Sequence, residues 1–268
     1  MLIRIGFDME FTLHAPTSMV LALHTHPSVD HRLQTPQYVA TQPAVSVRTF
    51  LDRAGNRLAR VLAPAGTFRL MYNNVAYDTG EPEPSVDGAA LHAPNDLPDE
   101  CLPYLLSSRY CEVDRLTDIA WELFGKTPPT WERIKTIVDW THRHVQFGYQ
   151  FARSTKTAMD VYYERQGVCR DYMHLGITML RAMNIPARYA NGYLGDIGVP
   201  ISPAPMDFSA FLEVYAGGRW YAMDARHNTQ RIGRILIARG ADASDVALTT
   251  SFGPATLTKF HVVTDEIA

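Results

Sequence analysis

The residue best placed for covalent chemistry in this chain is a cysteine that follows a glycine and begins a helical pattern. One face of the pattern after Gly167 and Cys169 consists of Tyr172, Gly176, Met179, Leu180 and Met183. This spacing predicts that Cys169 lies at or just before a helix N-terminus. The partial positive charge there favours a thiolate over a thiol, and backbone N–H groups can stabilise an oxyanion. Taken alone, the pattern also fits a buried structural cysteine at a turn.

The residues after this helix predict three strands, and the third ends at an acidic residue. Pro186 stops the helix, and a short strand follows. Residues 208–215 and 219–224 then have strand-like patterns, and the Gly217-Gly218 pair between them is typical of a hairpin turn. The order is therefore a cysteine-bearing helix followed by three strands, with Asp224 at the end of the last.

In this order, and in several short motifs, the chain resembles the transglutaminase-like superfamily, in particular its bacterial members regarded as cysteine proteases. The matching motifs are Thr157-Ala158, Gly167-Val168-Cys169-Arg170-Asp171, Ile185-Pro186-Ala187-Arg188-Tyr189, Gly192-Tyr193, Glu213-Val214 and Trp220 to Asp224. The resemblance implies a papain-like helix and antiparallel sheet, in which Cys169 attacks an amide carbonyl and forms a thioester. It implies that the N–H of Cys169 contributes to the oxyanion hole and that Asp224 orients the base. No metal or other cofactor is expected.

The histidine that this family supplies as base is missing from its usual position. The resemblance places it four residues before Glu213, where this sequence has Ser209. A serine cannot act as base near neutral pH. His227, three residues after Asp224, is the candidate replacement, but odd spacing on a continued strand would point it to the other face. It can serve only if the chain turns back after Asp224. His174, five residues into the cysteine helix, is a weaker candidate because that spacing points it away from the thiol.

The expected hairpin register supports this alignment. A two-residue turn pairs Ala216 with Arg219 and Phe211 with Asp224. Ser209 then lies on the same face as Phe211 and diagonal to Asp224, where a longer histidine could touch the carboxylate.

Two functions remain open. The first is a cysteine-dependent acyl-transfer enzyme, most directly an amide or peptide hydrolase that uses Cys169, Asp224 and His227 on a peptide or protein amide. The second is a non-catalytic binding module that keeps the fold but has lost its base, with Ser209 marking the loss. An imidazole nitrogen within hydrogen-bond reach of the sulfur would argue against the second.

The first part of the chain has the pattern of a small antiparallel β-sandwich. Residues 3–13 alternate between apolar and polar, and no long amphipathic helix precedes residue 114. Further strand candidates are residues 19–24, 45–52, 58–63 and 67–77. We therefore predict an α+β protein with a β-sandwich domain at 1–95, a connecting segment at 96–113 and a transglutaminase-like domain at 114–268.

Short capping motifs predict three helices after residue 113, in addition to the helix that begins at Cys169. Asp114 and Thr130 are the predicted caps of two amphipathic helices, and Thr157 opens a capping box that predicts a short helix before Gly167. His142 and His144 fall near the end of the second helix, where cationic side chains suit the helix dipole better than a catalytic role.

Other chemically capable side chains have plainer interpretations. His24, His26 and His31 lie in or after one strand and are expected on the surface, since they lack paired metal ligands. Cys101 and Cys111 are expected to be structural. Four arginines could receive a carboxylate or phosphate, although solvated or ion-paired side chains are the favoured interpretation; they are Arg226, Arg231, Arg234 and Arg239.

Composition limits the function classes. The chain has 268 residues, 46% of them hydrophobic, and a formal net charge of −3. This charge gives no electrostatic basis for binding nucleic acid or an anionic membrane. No apolar run is long enough to span a membrane, and charges occupy the start where a signal peptide would be apolar. We expect a soluble, cytoplasmic protein; the sequence does not predict its oligomeric state.

Overall fold

The computed structural model describes residues 1–86 and 88–267. Its strands are β1 (Leu2–Leu13), β2 (Thr17–Leu21), β3 (Ala40–Gln42), β4 (Arg48–Leu51), β5 (Arg57–Ala63), β6 (Gly66–Tyr77), β7 (Gln146–Phe147), β8 (Gln166–Gly167), β9 (Ala187–Tyr193), β10 (Ser209–Ala216), β11 (Arg219–Met223), β12 (Ile235–Gly240), β13 (Thr249–Ser251) and β14 (Ala255–Ile267). Its α-helices are α1 (Val113–Phe124), α2 (Trp131–His144), α3 (Ala158–Glu164) and α4 (Cys169–Ala182).

Two four-stranded antiparallel sheets contain the strands β1 to β6 together with β13 and β14. Their strand orders are β14-β1-β6-β3 and β13-β2-β5-β4. Along β1 the apolar side chains alternate with polar ones, and Ile3 and Ile5 are fully buried in the core. The period of two in the sequence therefore predicts the inner face of this sheet correctly.

The C-terminal strands belong to these same sheets. β14 pairs with β1 along its length, from Leu2 opposite Ile267 to Leu13 opposite Ala255, and β13 pairs with β2. The sequence pattern indicates the last strand but groups it with residues 114–268. The observed pairing instead joins it to the N-terminal sheets. Pairing between the two ends of a chain leaves no local signature, so the pattern of either strand could not reveal it.

The remaining large sheet carries the cysteine helix. Its order is β11-β10-β9-β12, all antiparallel, and α4 packs against β9 and β10. The other side of α4 contacts α1, α2 and α3. Every residue of α4 from Asp171 onward is buried, as is all of β9. This is the mixed helix and antiparallel-sheet class that the sequence predicts, with the cysteine helix at its centre.

The helix caps follow the sequence signals with one exception. Thr157 accepts the N–H of Asp160 at 3.4 Å, and Asp160 accepts the N–H of Thr157 at 3.0 Å, which completes the predicted capping box. Asp114 is not a cap, because α1 begins at Val113 and places Asp114 in its first turn. The Val113 N–H donates instead to Ser107 Oγ at 3.1 Å.

The expectation of surface histidines in the N-terminal half is wrong for two of the three. His24 and His26 are only 4% and 7% exposed, and burial lowers the pKa of each to about 4. His31 is exposed. Within residues 1–86 and 88–267, no group of three or more His, Cys, Asp or Glu side chains is arranged to hold a metal ion.

Candidate active site

Cys169 is the first residue of α4, at the helix N-terminus that the sequence predicts. The buried Asp171 fixes this end of the helix. Its Oδ2 accepts the N–H of Val168 at 3.0 Å, and its Oδ1 lies 3.0 Å from Nη2 of Arg170. As a first-turn donor, the N–H of Cys169 has no acceptor within its own helix. It can therefore serve a developing oxyanion.

Gly167 allows the chain to approach this helix closely. A Cβ atom added at Gly167 would lie 2.6 Å from Cβ and 2.8 Å from Oδ2 of Asp171. Any larger residue would displace the carboxylate that holds Val168. The glycine two positions before the cysteine is thus required by contact with Asp171, since its own φ is not in the left-handed region.

The thiol of Cys169 is half-buried, and the groups around it shift its pKa in opposite directions. Burial raises its pKa, and the nearby Asp207 raises it further. The guanidinium of Arg226 and the N–H groups of Ala210 and Arg170 lower the pKa without reversing the shift. The resting sulfur is therefore a thiol at neutral pH. The N–H of Arg170, in the first turn of α4, lowers the pKa as expected for a helix N-terminus, but desolvation is the larger effect.

A tight turn after β11 brings His227 back to Asp224. The N–H of Asn228 donates to the Asp224 carbonyl oxygen at 2.8 Å. Oδ1 of Asp224 accepts the N–H groups of Arg226 and His227, both at 3.0 Å. Oδ2 lies 2.9 Å from Nδ1 of His227. The chain reversal that the sequence set as the condition for His227 is therefore present.

The Asp224 carboxylate is ionised although only 1% of its side chain is exposed. Burial alone would raise its pKa, but the hydrogen bond from His227 and the charge of Arg234 hold that pKa well below its usual range. Since the carboxylate can only accept, Nδ1 of His227 carries the proton and Nε2 is left as the basic nitrogen.

Glu83, in the segment after β6, supports this carboxylate through Arg234. Nη2 of Arg234 lies 3.5 Å from Oδ2 of Asp224, and Nε of Arg234 donates to Oε1 of Glu83 at 2.5 Å. Sequence reasoning missed this chain of contacts. Glu83 lies far from Asp224 in sequence and reaches it only because the segment after β6 runs along this part of the fold.

Helix α2 holds the turn from the other side. Nδ1 of His142 lies 3.2 Å from the Ala225 carbonyl oxygen, and Nδ2 of Asn228 donates to Oδ1 of Asp139 at 2.9 Å. Nε2 of His144 lies 2.8 Å from the Tyr162 carbonyl oxygen. The two histidines at the end of α2 thus have packing partners, in line with their non-catalytic interpretation.

Two cavities meet at the cysteine. The larger, about 460 Å³, is lined by Cys169, Ser209 and His227 together with Arg226 and Arg231. The smaller, about 330 Å³, is lined by Cys169 and Ser209 and by mostly apolar neighbours. The main neighbours on that side are Tyr189, Phe208, Ala210, Val246 and Leu248. Cys169 and His227 therefore face one common space, although no hydrogen bond joins the sulfur to an imidazole in the described part of the chain.

Ser209 begins β10, opposite Gly192 of β9. The predicted hairpin register is correct from Ala216 opposite Arg219 to Leu212 opposite Met223. β11 then ends, so the predicted pairing of Phe211 with Asp224 does not form. Asp224 has already entered the turn that carries His227.

His174 does not line either cavity at the cysteine. It is fully buried and stacks between Tyr110 and Tyr189, with ring centroids 4.9 Å and 5.3 Å away. Its Nε2 accepts the N–H of Ala243 at 3.2 Å, and burial lowers its pKa to about 3. This agrees with its ranking as the weaker candidate.

Comparison with known proteins identifies the family. The sequence profile of the transglutaminase-like superfamily matches residues 117–225. The crystal structure of a candidate cysteine protease from Cytophaga hutchinsonii is 30% identical, with a TM-score of 0.85 over 99% of this chain and 90% of that chain. The chain belongs to the transglutaminase-like superfamily. The family match contains Cys169 and Asp224, and the structural match extends over nearly the whole chain.

Two further matches are more partial. An uncharacterized protein of Mycobacterium leprae, ML0607, is 30% identical over 94 residues, which are 34% of this chain and 33% of that relative. The chain thus matches about a third of the length of this curated relative. The periplasmic domain of TgpA from Pseudomonas aeruginosa is 15% identical, with a TM-score of 0.42 over 84% of this chain and 88% of that domain. Among the described residues, no helix has the length and apolar character needed to cross a membrane.

Proposed function

We propose that this transglutaminase-like protein is a cysteine-dependent acyl-transfer enzyme that hydrolyses an amide or peptide bond. Cys169 is the nucleophile, His227 the base and Asp224 the group that orients the base. The observation that carries the proposal is the 2.9 Å contact between Nδ1 of His227 and Oδ2 of Asp224, beside a cavity that Cys169 also lines. This arrangement supplies an oriented imidazole although Ser209 occupies the family's histidine position.

The raised pKa of Cys169 favours general-base catalysis over a preformed thiolate. Nε2 of His227 takes the S–H proton as the sulfur bonds to the substrate carbonyl carbon. The resulting imidazolium is stabilised by the ionised Asp224. His227 then returns the proton to the leaving amine, the C–N bond breaks and a thioester remains on Cys169.

Hydrolysis completes the cycle with the same groups. His227 removes a proton from water, the hydroxide adds to the thioester carbonyl and the C–S bond breaks. The carboxylic acid leaves, and the sulfur recovers its proton from the imidazolium. In both tetrahedral intermediates the negative oxygen accepts a hydrogen bond from the N–H of Cys169, at the positive end of α4.

Trapping of the acyl-enzyme tests this function. The protein is mixed with p-nitrophenyl acetate at pH 7.5, and the acetylated peptide is located by mass spectrometry before and after hydroxylamine treatment. We expect a hydroxylamine-labile acetyl group on Cys169, formed faster than on N-acetylcysteine and absent from Cys169→Ala. Acylation of Cys169 no faster than that of N-acetylcysteine would reject the enzyme.

A binding module on the same fold is the second candidate. It is favoured by Ser209 in place of the family histidine and by the absence, in the described part of the chain, of a hydrogen bond between an imidazole and Sγ of Cys169. Under this alternative His227 serves only to cap the turn at Asp224. Immobilised wild-type protein and Cys169→Ala would then retain the same peptides from a synthetic library with equal affinity, and neither would release a cleaved product.

A further inference from the structure

The larger cavity beside Cys169 contains two arginines whose charges are incompletely paired. Arg231 is only 4% exposed, yet its Nε has no hydrogen-bond partner in the described part of the chain. Its Nη2 donates to the Gly195 carbonyl oxygen at 2.8 Å, and the carboxylate of Asp196 lies 3.7 Å away. The charges of Asp224 and Glu83 also act on Arg231, but its buried Nε–H still lacks an acceptor among the described residues, which is costly. A ligand that supplies the missing acceptor would recover that cost.

Arg226 lies on the same cavity without an ion pair to any carboxylate among residues 1–86 and 88–267. Its guanidinium carbon lies 3.8 Å from the centre of the Phe147 ring, a contact that holds the planar group in place. Its charge lowers the pKa of both Cys169 and Asp207, so it lies near the reacting sulfur. The guanidinium of Arg226 is therefore held in place next to the thiol. Its charge is incompletely neutralised, and its N–H groups can donate to a ligand.

In the described part of the chain, the acidic groups of this cavity make no hydrogen bond to the guanidinium groups of the two arginines. Asp196 accepts the N–H of Ser202 at 2.7 Å and lies 3.7 Å from Arg231. Asp207 accepts the N–H of Phe208 at 2.7 Å, and the charge of Arg226 lowers its pKa against the larger effect of burial. His227 is the only other titratable side chain besides Tyr149 and Cys169 among the described residues lining the cavity.

We propose that Arg226 and Arg231 form a carboxylate subsite, so that the substrate of Cys169 is an acyl compound with an acidic group close to its scissile amide. Guanidinium groups bind carboxylates through paired N–H donors, and burial strengthens that contact. The proposal rests on the proposed function of Cys169. It adds the chemical class of the substrate: a peptide or amide with an Asp-like or Glu-like carboxylate rather than a neutral one.

Charged and neutral alkylating reagents test the subsite separately from catalysis. Iodoacetate and iodoacetamide both alkylate the thiolate at their CH₂ carbon with loss of iodide, and the group that they add carries a carboxylate or an amide. The ratio of their rate constants cancels the fraction of thiolate, so it reports the surroundings and not the thiol pKa. Mass spectrometry of the Cys169 peptide excludes any contribution from the buried Cys101 and Cys111.

We expect the iodoacetate to iodoacetamide ratio at Cys169 to exceed that of N-acetylcysteine by about tenfold at low salt. Arg231→Met and Arg226→Gln should each lower the ratio towards that of the small thiol. Arg219→Met, at the hairpin turn outside the cavity, is the matched control and should leave it unchanged. A ratio in the wild-type protein equal to that of N-acetylcysteine would overturn the subsite, whatever the acyl-trapping result.

A second measurement tests the carboxylate subsite even if the thiol of Cys169 does not react or the variants do not fold. Calorimetric titration of the wild-type protein with glutarate and with glutaramide requires neither alkylation nor a variant. We expect glutarate to bind and glutaramide not to bind, and glutarate to protect Cys169 from iodoacetamide. If acylation fails but glutarate binds, the enzyme proposal is lost and the carboxylate site stands. If acylation succeeds but glutarate and glutaramide behave alike, the carboxylate site is lost.

Discussion

His227 reaches Asp224 within a turn, three residues along the chain, and not across two strands. The Nδ1 to Oδ2 distance is 2.9 Å, and the same carboxylate accepts the backbone N–H groups of Arg226 and His227 through its other oxygen. One side chain thus fixes both the path of the turn and the orientation of the imidazole. The local chain reversal places His227 on the cavity that Cys169 and Ser209 also line.

The first prediction concerns His227→Asn, which removes the basic nitrogen and keeps a side chain that can reach Asp224. General-base catalysis contributes about 10²–10⁴ in rate, so acylation of Cys169 should fall by a factor in that range. The measurement is the rate of p-nitrophenol release in a stopped-flow burst. His31→Asn, on an exposed histidine of the N-terminal half, is the matched control. An unchanged burst in His227→Asn would remove His227 from the mechanism.

The second prediction concerns the pH dependence of stability and Asp224→Asn. Because the pKa of Asp224 is held below its unfolded value of ~3.9, its ionisation stabilises the folded protein above that pH. The contribution is lost as pH falls through and below about 4. The variant should be less stable by on the order of 2 kcal/mol at pH 7. The difference in unfolding free energy between the wild type and Asp224→Asn, measured with urea, should become smaller as the pH falls from about 4 to about 2. A difference that does not change with pH would contradict the pairing of the Asp224 carboxylate with His227 and Arg234.

The pattern of single elements could be predicted from sequence, and long-range pairing could not. The helix beginning at Cys169 and the hairpin around Gly217 follow from local spacing and turn chemistry, and both are present. The return of β14 to β1 depends on two strands at opposite ends of the chain, each compatible with many partners. The sequence therefore predicts that the last strand exists but not which sheet it joins.

In the candidate site, too, local features could be predicted from the sequence and long-range contacts could not. The family resemblance implies roles for Cys169 and Asp224. The spacing of His227 predicts that it reaches Asp224 only if the chain turns back after Asp224. Whether the chain turns there depends on hydrogen bonds from α2 and on the Arg234 to Glu83 contact, which join distant segments. The raised pKa of Cys169 depends on packing around the sulfur, a property of the assembled core that no local motif encodes.

The third prediction compares two glycine substitutions on either side of the cysteine. Gly167→Ala would place a Cβ 2.6 Å from Cβ of Asp171 and should cost about 1–3 kcal/mol of stability as well as slow acylation of Cys169. Gly176→Ala, inside the same helix, meets Leu212 Cδ2 at 3.2 Å and gains helix propensity, so its effect should stay within about 1 kcal/mol. Thermal unfolding and the acylation burst are measured on both. Equal effects would show that the contact with Asp171 does not position the cysteine.

The fourth prediction uses the charges around the thiol. The alkylation rate of Cys169 by the neutral iodoacetamide should rise with pH through an apparent pKa above that of a free thiol, because burial and Asp207 both raise it. Asp207→Asn removes a negative charge and should speed alkylation several-fold at pH 7. Arg226→Gln removes a positive charge and should slow it. The measurement is the rate of modification against pH, and identical curves for the two variants would show that neither charge acts on the sulfur.

The last prediction concerns Ser209→His, which restores the residue type that the family resemblance places on this strand. Ser209 lines both cavities at Cys169, so a new imidazole could reach the sulfur. If the protein is a scaffold that lost its base, the substitution should create acylation activity where the parent has none. If His227 already serves, the new imidazole competes for an Asp224 whose oxygens are already engaged, and the burst should stay level or fall. Combining Ser209→His with His227→Asn separates these cases, because activity of the double variant must come from position 209. Inactivity of the wild type and of every variant would favour the binding module. Unchanged wild-type activity in all of them would show that neither position supplies the base for Cys169.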